Sequence, residues 1–152
     1  MKAEYINPFI ASVNNIFPQL GFEKISKKNV SIKKNNVERS GILMMLGIVG
    51  DIEGNIAYYL NFDDAKKIAG QMMMQEDLDE LNSMAKSALS ELSNMLTANA
   101  SINLSQNDID VDITAPSTLF GESFILDMNT NSFISIEMNV DDMVIDINIA
   151  IK

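Results

Sequence analysis

The sequence predicts an α+β domain in which helices cover an antiparallel sheet, and three observations carry that expectation. Apolar residues recur at spacings of three and four over residues 4–20, 64–74 and 77–100, the period of helices with one buried face. Over 109–113, 134–140 and 143–151 they alternate with polar ones, the period of half-buried strands. Residues 40–49 are apolar at both parities, as in a central strand covered on both faces. An order of helix, strands, two helices and strands places the helices on a sheet.

The first helix, 4–20, presents Ile6, Phe9, Ile10, Val13, Phe17 and Leu20 on one side. A basic, Asn-rich stretch follows with Lys24, Lys27, Lys28, Lys33 and Lys34. It reads as a short edge strand around Val30 and Ile32 ending in a hairpin turn at Asn35-Asn36, because lysines suit an edge that must not pair with other chains. After the run at 40–49, Gly50-Asp51-Ile52-Glu53-Gly54 supplies turn chemistry. Ile56, Tyr58, Leu60 and Phe62 then alternate with Ala57, Tyr59 and Asn61 as the second strand of a hairpin.

Asp63 or Asp64 can cap the helix over 64–74, whose inner side holds Ala65, Ile68, Ala69 and Met72. Met72, Met73 and Met74, like Met44 and Met45, read as core. The longest helix, 77–100, buries Leu78, Leu81, Ala85, Ala88, Leu92 and Met95 or Leu96, with acidic residues in its first turn to complement the dipole. Three alternating runs close the chain, each expected to bury one face: Ile109, Val111 and Ile113; Ile134, Ile136, Met138 and Val140; Met143, Ile145, Ile147, Ile149 and Ile151.

Composition narrows the function. A chain of 152 residues, 47% hydrophobic and 21% charged, fits one folded domain spanning 1–152. A formal net charge of −10 repels nucleic acid and anionic membrane surfaces, so neither is an expected partner. The apolar runs are too short to span a bilayer, and residues 1–8 lack the apolar core of a secretory leader, so a cytoplasmic protein is expected. With no cysteine and no histidine, thiol nucleophiles, Ser-His triads and imidazole acid-base catalysis are excluded. Asp108, Asp110, Asp112, Asp141 and Asp142 read as the solvated face of strands rather than the donors of a metal hydrolase.

One helix face stands out. Ser87, Glu91, Asn94 and Ala98 follow one another at four, three and four residues, forming a ridge about 100° from the stripe through Ala88. Ser83, Ser90, Ser93 and Thr97 stand around it, all short, whereas a merely solvated helix face is filled with Lys, Glu, Gln and Arg. Short neighbours let another protein's surface approach closely. The Glu-x-x-Asn spacing alone is unspecific: Glu4 and Asn7 repeat it, in the first turn before Pro8, where a structural or capping role is expected. Lys86, beside the ridge, reads as a solvated side chain.

The whole stretch 78–100 resembles the signature helix of the CheC/CheX chemotaxis phosphatases. That pattern has Asp or Ser, Glu four residues on, Asn three after that, an Asn-Ala pair, and a proline about two dozen residues downstream of the Asn. Here these are Ser87, Glu91, Asn94, Asn99-Ala100 and Pro116. The family usually has glycine before the Asn-Ala pair, where this chain has Ala98, a change of small cost in a helix. Pro116 to Gly121, Gly47 to Asp51, Leu60 with Phe62, and Ala65 to Ala69 are also similar to the family, so the resemblance spans about 40–121. A single complete motif and a short chain place it nearer CheX than CheC.

The resemblance implies a CheC-like fold and a phosphatase acting on the aspartyl phosphate of a CheY-type response regulator. Such a partner already holds Mg²⁺ and a lysine against the phosphoryl group, so no metal or cofactor of this chain's own is implied. Asn94 would position the attacking water, its amide oxygen accepting from water while its NH₂ donates to a phosphoryl oxygen. Glu91 would dock the partner's lysine, Ser87 would make a rim contact, and Ala98 would complete the partner-binding face. A homodimer is also implied, with the run at 41–49 a candidate for its interface. The alternative is a non-catalytic module that uses the same helix to bind a response regulator or a flagellar-switch component.

Overall fold

The computed structural model describes residues 2–34 and 37–152. Its elements in chain order are α1 (Ala3–Gln19), β1 (Ile25–Lys34), β2 (Val37–Gly50), β3 (Gly54–Leu60), α2 (Phe62–Met72), α3 (Ser83–Ser105), β4 (Val111–Ile113), β5 (Ser117–Leu126), β6 (Ser132–Val140) and β7 (Met143–Ile151). The strands form one antiparallel sheet in the order β1-β6-β7-β3-β2-β4, with β5 paired to β2 on the same side as β4. No helix among the described residues is long and apolar enough to cross a membrane.

Alternation in the strands puts one set of side chains under the helices. Met44, Tyr58, Ile147 and Ile136 are register partners across β2, β3, β7 and β6, and each is 0% exposed. This row packs in one core with Phe9, Val13 and Phe17 of α1, Ile68 of α2, and Leu89, Leu92 and Leu96 of α3. Each such side chain contributes about 1.5–3 kcal/mol by leaving water.

The other sheet face carries a smaller core of Leu43, Ala57, Leu126, Met128, Phe133 and Ala150. It covers the second parity of β2 as the apolar run at 40–49 requires, although Val49 emerges to solvent. It also buries β7 on both faces, not one as its alternation implies, because β7 lies between β6 and β3 with Asp146, Asn148 and Ala150 turned toward this layer. Arg39 reaches over the Tyr59 ring to Asp146, 3.3 Å away. Burial raises the Asp146 carboxyl above the ordinary aspartate range, and Arg39 only partly offsets this.

Several expectations need correction. The turn at Asn35-Asn36 lies outside the described residues, and the strands flanking it do not pair, since β1 lies beside β6 at one edge and β2 beside β3. The edge position of β1 is as its lysines suggest. The run at 41–49 is not open for strand pairing to a second copy, because β3 takes one side of β2 while β4 and β5 take most of the other. α2 is capped by Asn61, whose Oδ1 accepts from the Asp64 amide, while Asp64 instead accepts from the Val144 amide. Past its end Met74 is 95% exposed with φ +55°, so it is not core, whereas Met44 is.

β5 has no counterpart among the expected strands. Its pairing shifts register between Arg39 and Gly41, with an extra β5 residue inserted there. The bulge reverses the strand's parity: Phe120 packs with the helix-side core, Phe124 and Leu126 with the other. No continuous alternation survives in the sequence. Gly41 has φ +144° at this point, and a Cβ there would collide with the Leu60 carbonyl oxygen.

The raised Asp146 pKa sets a pH dependence. The folded chain holds this proton more tightly than the unfolded one, so the contribution is favourable below the ordinary value of 3.8 and is lost as pH rises through the folded value. Relative to Asp146→Asn, which does not titrate, the urea midpoint of the parent is expected to fall as pH is raised from about 4 to about 7.

Candidate functional site

α3 starts at Ser83 rather than 77 because Asn82 caps it, its Oδ1 accepting from the Ala85 amide at 2.9 Å. Asp77, Asp79 and Glu80 therefore precede the helix and do not fill its first turn, and Leu78 and Leu81 pack from the connection. The buried stripe is Ala85, Leu89, Leu92, Ser93, Leu96, Thr97, Ala100 and Leu104. It runs through Leu89 and Leu96 instead of Ala88, which is only half-buried.

Ser93 and Thr97, expected beside the ridge, are instead inside at 0% and 1% exposure. Their hydroxyls suit burial because each donates to a carbonyl of its own helix, Ser90 O at 2.6 Å and Ser93 O at 2.8 Å. Since the single Thr97 proton is committed to Ser93, Tyr58 is the donor in the 2.9 Å hydroxyl pair that ties α3 to β3. Burial pushes the Tyr58 pKa up, which keeps that proton in place.

With the stripe so placed, the ridge of Ser87, Glu91, Asn94 and Ala98 lies roughly 160° from it and faces out. Ser87 and Glu91 are exposed, Asn94 and Ala98 half-buried. Among the described residues neither Glu91 nor Asn94 makes a side-chain hydrogen bond or ion pair. The amide and carboxylate are thus presented outward on a rigid helix with their donors and acceptors uncommitted.

Neighbouring elements hold that helix. Asn99 Oδ1 accepts from Asn15 of α1 at 3.2 Å and from Asn103 at 3.3 Å, and Asn103 also donates to Pro8 O at 3.1 Å. The Asn-Ala pair is therefore structural: Asn99 brackets α1, and Ala100 is fully buried. Ala98 stands on the outward side. Lys86 is not merely solvated but lies 4.5 Å over the Phe120 ring of β5, pinning the start of α3 to the strand that follows Pro116. Glu4 and Asn7 are exposed on α1, with Glu4 3.7 Å from Lys2.

The clefts beside α2, lined by Lys67, Gln71 and Met74, and beside β1 and β6, lined by Ile32 and Phe133, include no ridge residue. The ridge is a projecting surface, suited to entering another protein's site. Sequence reading did not single out Asn82 or the Lys86–Phe120 contact. The first carries a signal, an N-cap residue directly ahead of a helical run; the second depends on a strand that shows no alternation.

The architecture is that of CheC-like proteins. The CheC-like superfamily protein from Shewanella sp. PV-4 superposes with TM-score 0.89 at 20% identity, over 100% of this chain and 99% of that one. The crystal structure of the CheX–CheY–BeF3–Mg²⁺ complex from Borrelia burgdorferi matches with TM-score 0.80 at 22% identity, over 99% of both chains. Sequence takes the assignment further. The family model Chemotaxis phosphatase CheX matches residues 42–139. The CheY-P phosphatase CheX of Thermotoga maritima is 31% identical over 134 residues, 88% of this chain and 83% of that protein. This chain belongs to the chemotaxis phosphatase CheX family.

Two measurements test the geometry. Tyr58→Phe removes the donor to Thr97 and is expected to lower unfolding free energy by about 0.5–1.5 kcal/mol in urea titrations. Alanine at Ser87, Glu91 or Asn94 is expected to shift stability by no more than about 0.5 kcal/mol, since nothing inside the fold uses these side chains.

Proposed function

We propose that this chain hydrolyses the aspartyl phosphate of a CheY-type response regulator, with Asn94 positioning the water and Glu91 docking the partner's lysine. The observation that carries the reading is the outward pairing of an uncommitted carboxylate and amide one turn apart on α3, in a chain of the CheX family. The partner supplies Mg²⁺ and the lysine, which neutralise the phosphoryl charge; positioning is what remains to be added.

In the reaction a water oxygen bonds to phosphorus as the bond from phosphorus to the aspartyl oxygen breaks. The carboxylate is restored as aspartate, and inorganic phosphate leaves as the dihydrogen anion carrying the water's oxygen and both of its protons. Asn94 accepts from that water through Oδ1 and donates through Nδ2 to a phosphoryl oxygen, holding it in line. Glu91 forms a charge-assisted hydrogen bond to the partner's lysine and sets the docking register. Ser87 and Ala98 complete the contact face. A homodimer belongs to the same reading, as the family resemblance implies.

The test follows decay of a purified phosphorylated CheY-type regulator in Mg²⁺ with this protein, with variants, and alone. Acceleration is expected, with Asn94→Ala losing about a hundredfold of it, equivalent to about 2.7 kcal/mol of barrier. Glu91→Gln should raise KM more than it lowers kcat. Decay equal to the protein-free control would favour a docking module for a response regulator or flagellar-switch component.

A further inference from the structure

Two large apolar side chains on the outward side of α3 serve no internal purpose. Met84 is 65% exposed and Ile102 is 56% exposed. At about 100° per residue they fall on one line of the helix, five turns apart, with Glu91 close to that line. Between them, besides Glu91, Asn94, Asn99 and the half-buried Met95, the outward side holds short residues: Ser87, Ala88, Ser90, Ala98 and Ser101. Along α3 an exposed apolar side chain thus stands toward each end, with the polar pair between them.

We propose that Met84 and Ile102 are the apolar anchors of the docking surface, gripping the response regulator on either side of Asn94 and setting affinity rather than turnover. This rests on the reading of α3 as the docking helix. A standard interface covers roughly 800 Å² of each partner, a disc of about 16 Å radius. At a rise of about 1.5 Å per residue, Met84 stands about 15 Å from Asn94 along the axis and Ile102 about 12 Å. A footprint of that size centred on α3 between Glu91 and Asn94 reaches both Met84 and Ile102. A second copy of this chain does not fit as the occupant, because it would bury Glu91 and Asn94 against itself.

Charge points the same way. The chain carries a formal net charge of −10 and approaches a site rich in carboxylate and phosphate, so long-range attraction does not supply the affinity. Apolar burial at the two ends does, and methionine is among the side chains enriched at such contacts.

The test is a binding titration in an Asn94→Ala background, which leaves the phosphoryl group on the partner. A fluorescently labelled CheY-type regulator, kept phosphorylated by excess acetyl phosphate and Mg²⁺, is titrated and followed by anisotropy. Met84→Ser and Ile102→Ser are each expected to weaken binding by about tenfold, the factor that 1.4 kcal/mol represents, with unfolding midpoints unchanged. With Asn94 restored, the same substitutions should raise KM and leave kcat alone. Undiminished affinity in the double variant overturns the inference and leaves the phosphatase reading standing. A parent chain that binds, and loses affinity with these substitutions, but does not hasten phosphate loss supports the inference and overturns the phosphatase reading. No binding by the Asn94→Ala parent overturns the inference, and unaccelerated decay with intact Asn94 separately overturns the phosphatase reading.

Discussion

The rotation of α3 about its own axis is the constraint on which the site depends. A helix with a broad apolar stripe could settle at several angles on a flat sheet, because leucine against isoleucine tolerates rotation. The Tyr58 hydroxyl removes that freedom: it is buried in the middle of β3 and needs a partner, which among the described residues is Thr97. Turning α3 by one residue would leave the Tyr58 hydroxyl without its acceptor in an apolar core, while Thr97 would keep its bond to the Ser93 carbonyl. The Asn99 bracket to α1 fixes the helix from the flank, and the Lys86 contact with Phe120 fixes its start. Three restraints of different chemistry hold Glu91 and Asn94 outward.

This division of labour explains why polar residues on α3 cannot all be read alike. Ser90 and Ser93 each follow a leucine, yet Ser93 is buried and Ser90 half-exposed. A serine inside a helix can satisfy its hydroxyl on its own backbone, so polarity by itself does not mark the outward side. The residues left without such an internal use are the informative ones. Asn94 and Asn99 are the same residue type five positions apart, and the structure gives one to the outward side of α3 and the other to α1.

Much of the architecture was legible where a single period dominates. β7 was anticipated to the residue, and α1 within a residue at each end, because nothing interrupts their patterns. The start of α3 was placed too early because Leu78 and Leu81 continue the helical spacing while packing from a connection, and the spacing does not reveal that Asn82 intervenes as a cap. The ridge was legible because its residues are local to one helix. What it faces was not: Phe120 arrives from a strand whose parity changes midway, and the second core beneath Arg39 draws on β2, β3, β5, β6 and β7 at once.

That change of parity has a mechanical meaning. β5 is stitched through the sheet, lending Phe120 to the layer beneath the helices and Phe124 and Leu126 to the layer on the far side. Loosening either layer pulls on the strand that serves the other, which couples the two cores in unfolding. The outward face of α3 that carries Glu91 and Asn94 is thereby mounted on a helix whose supporting layers are coupled to each other.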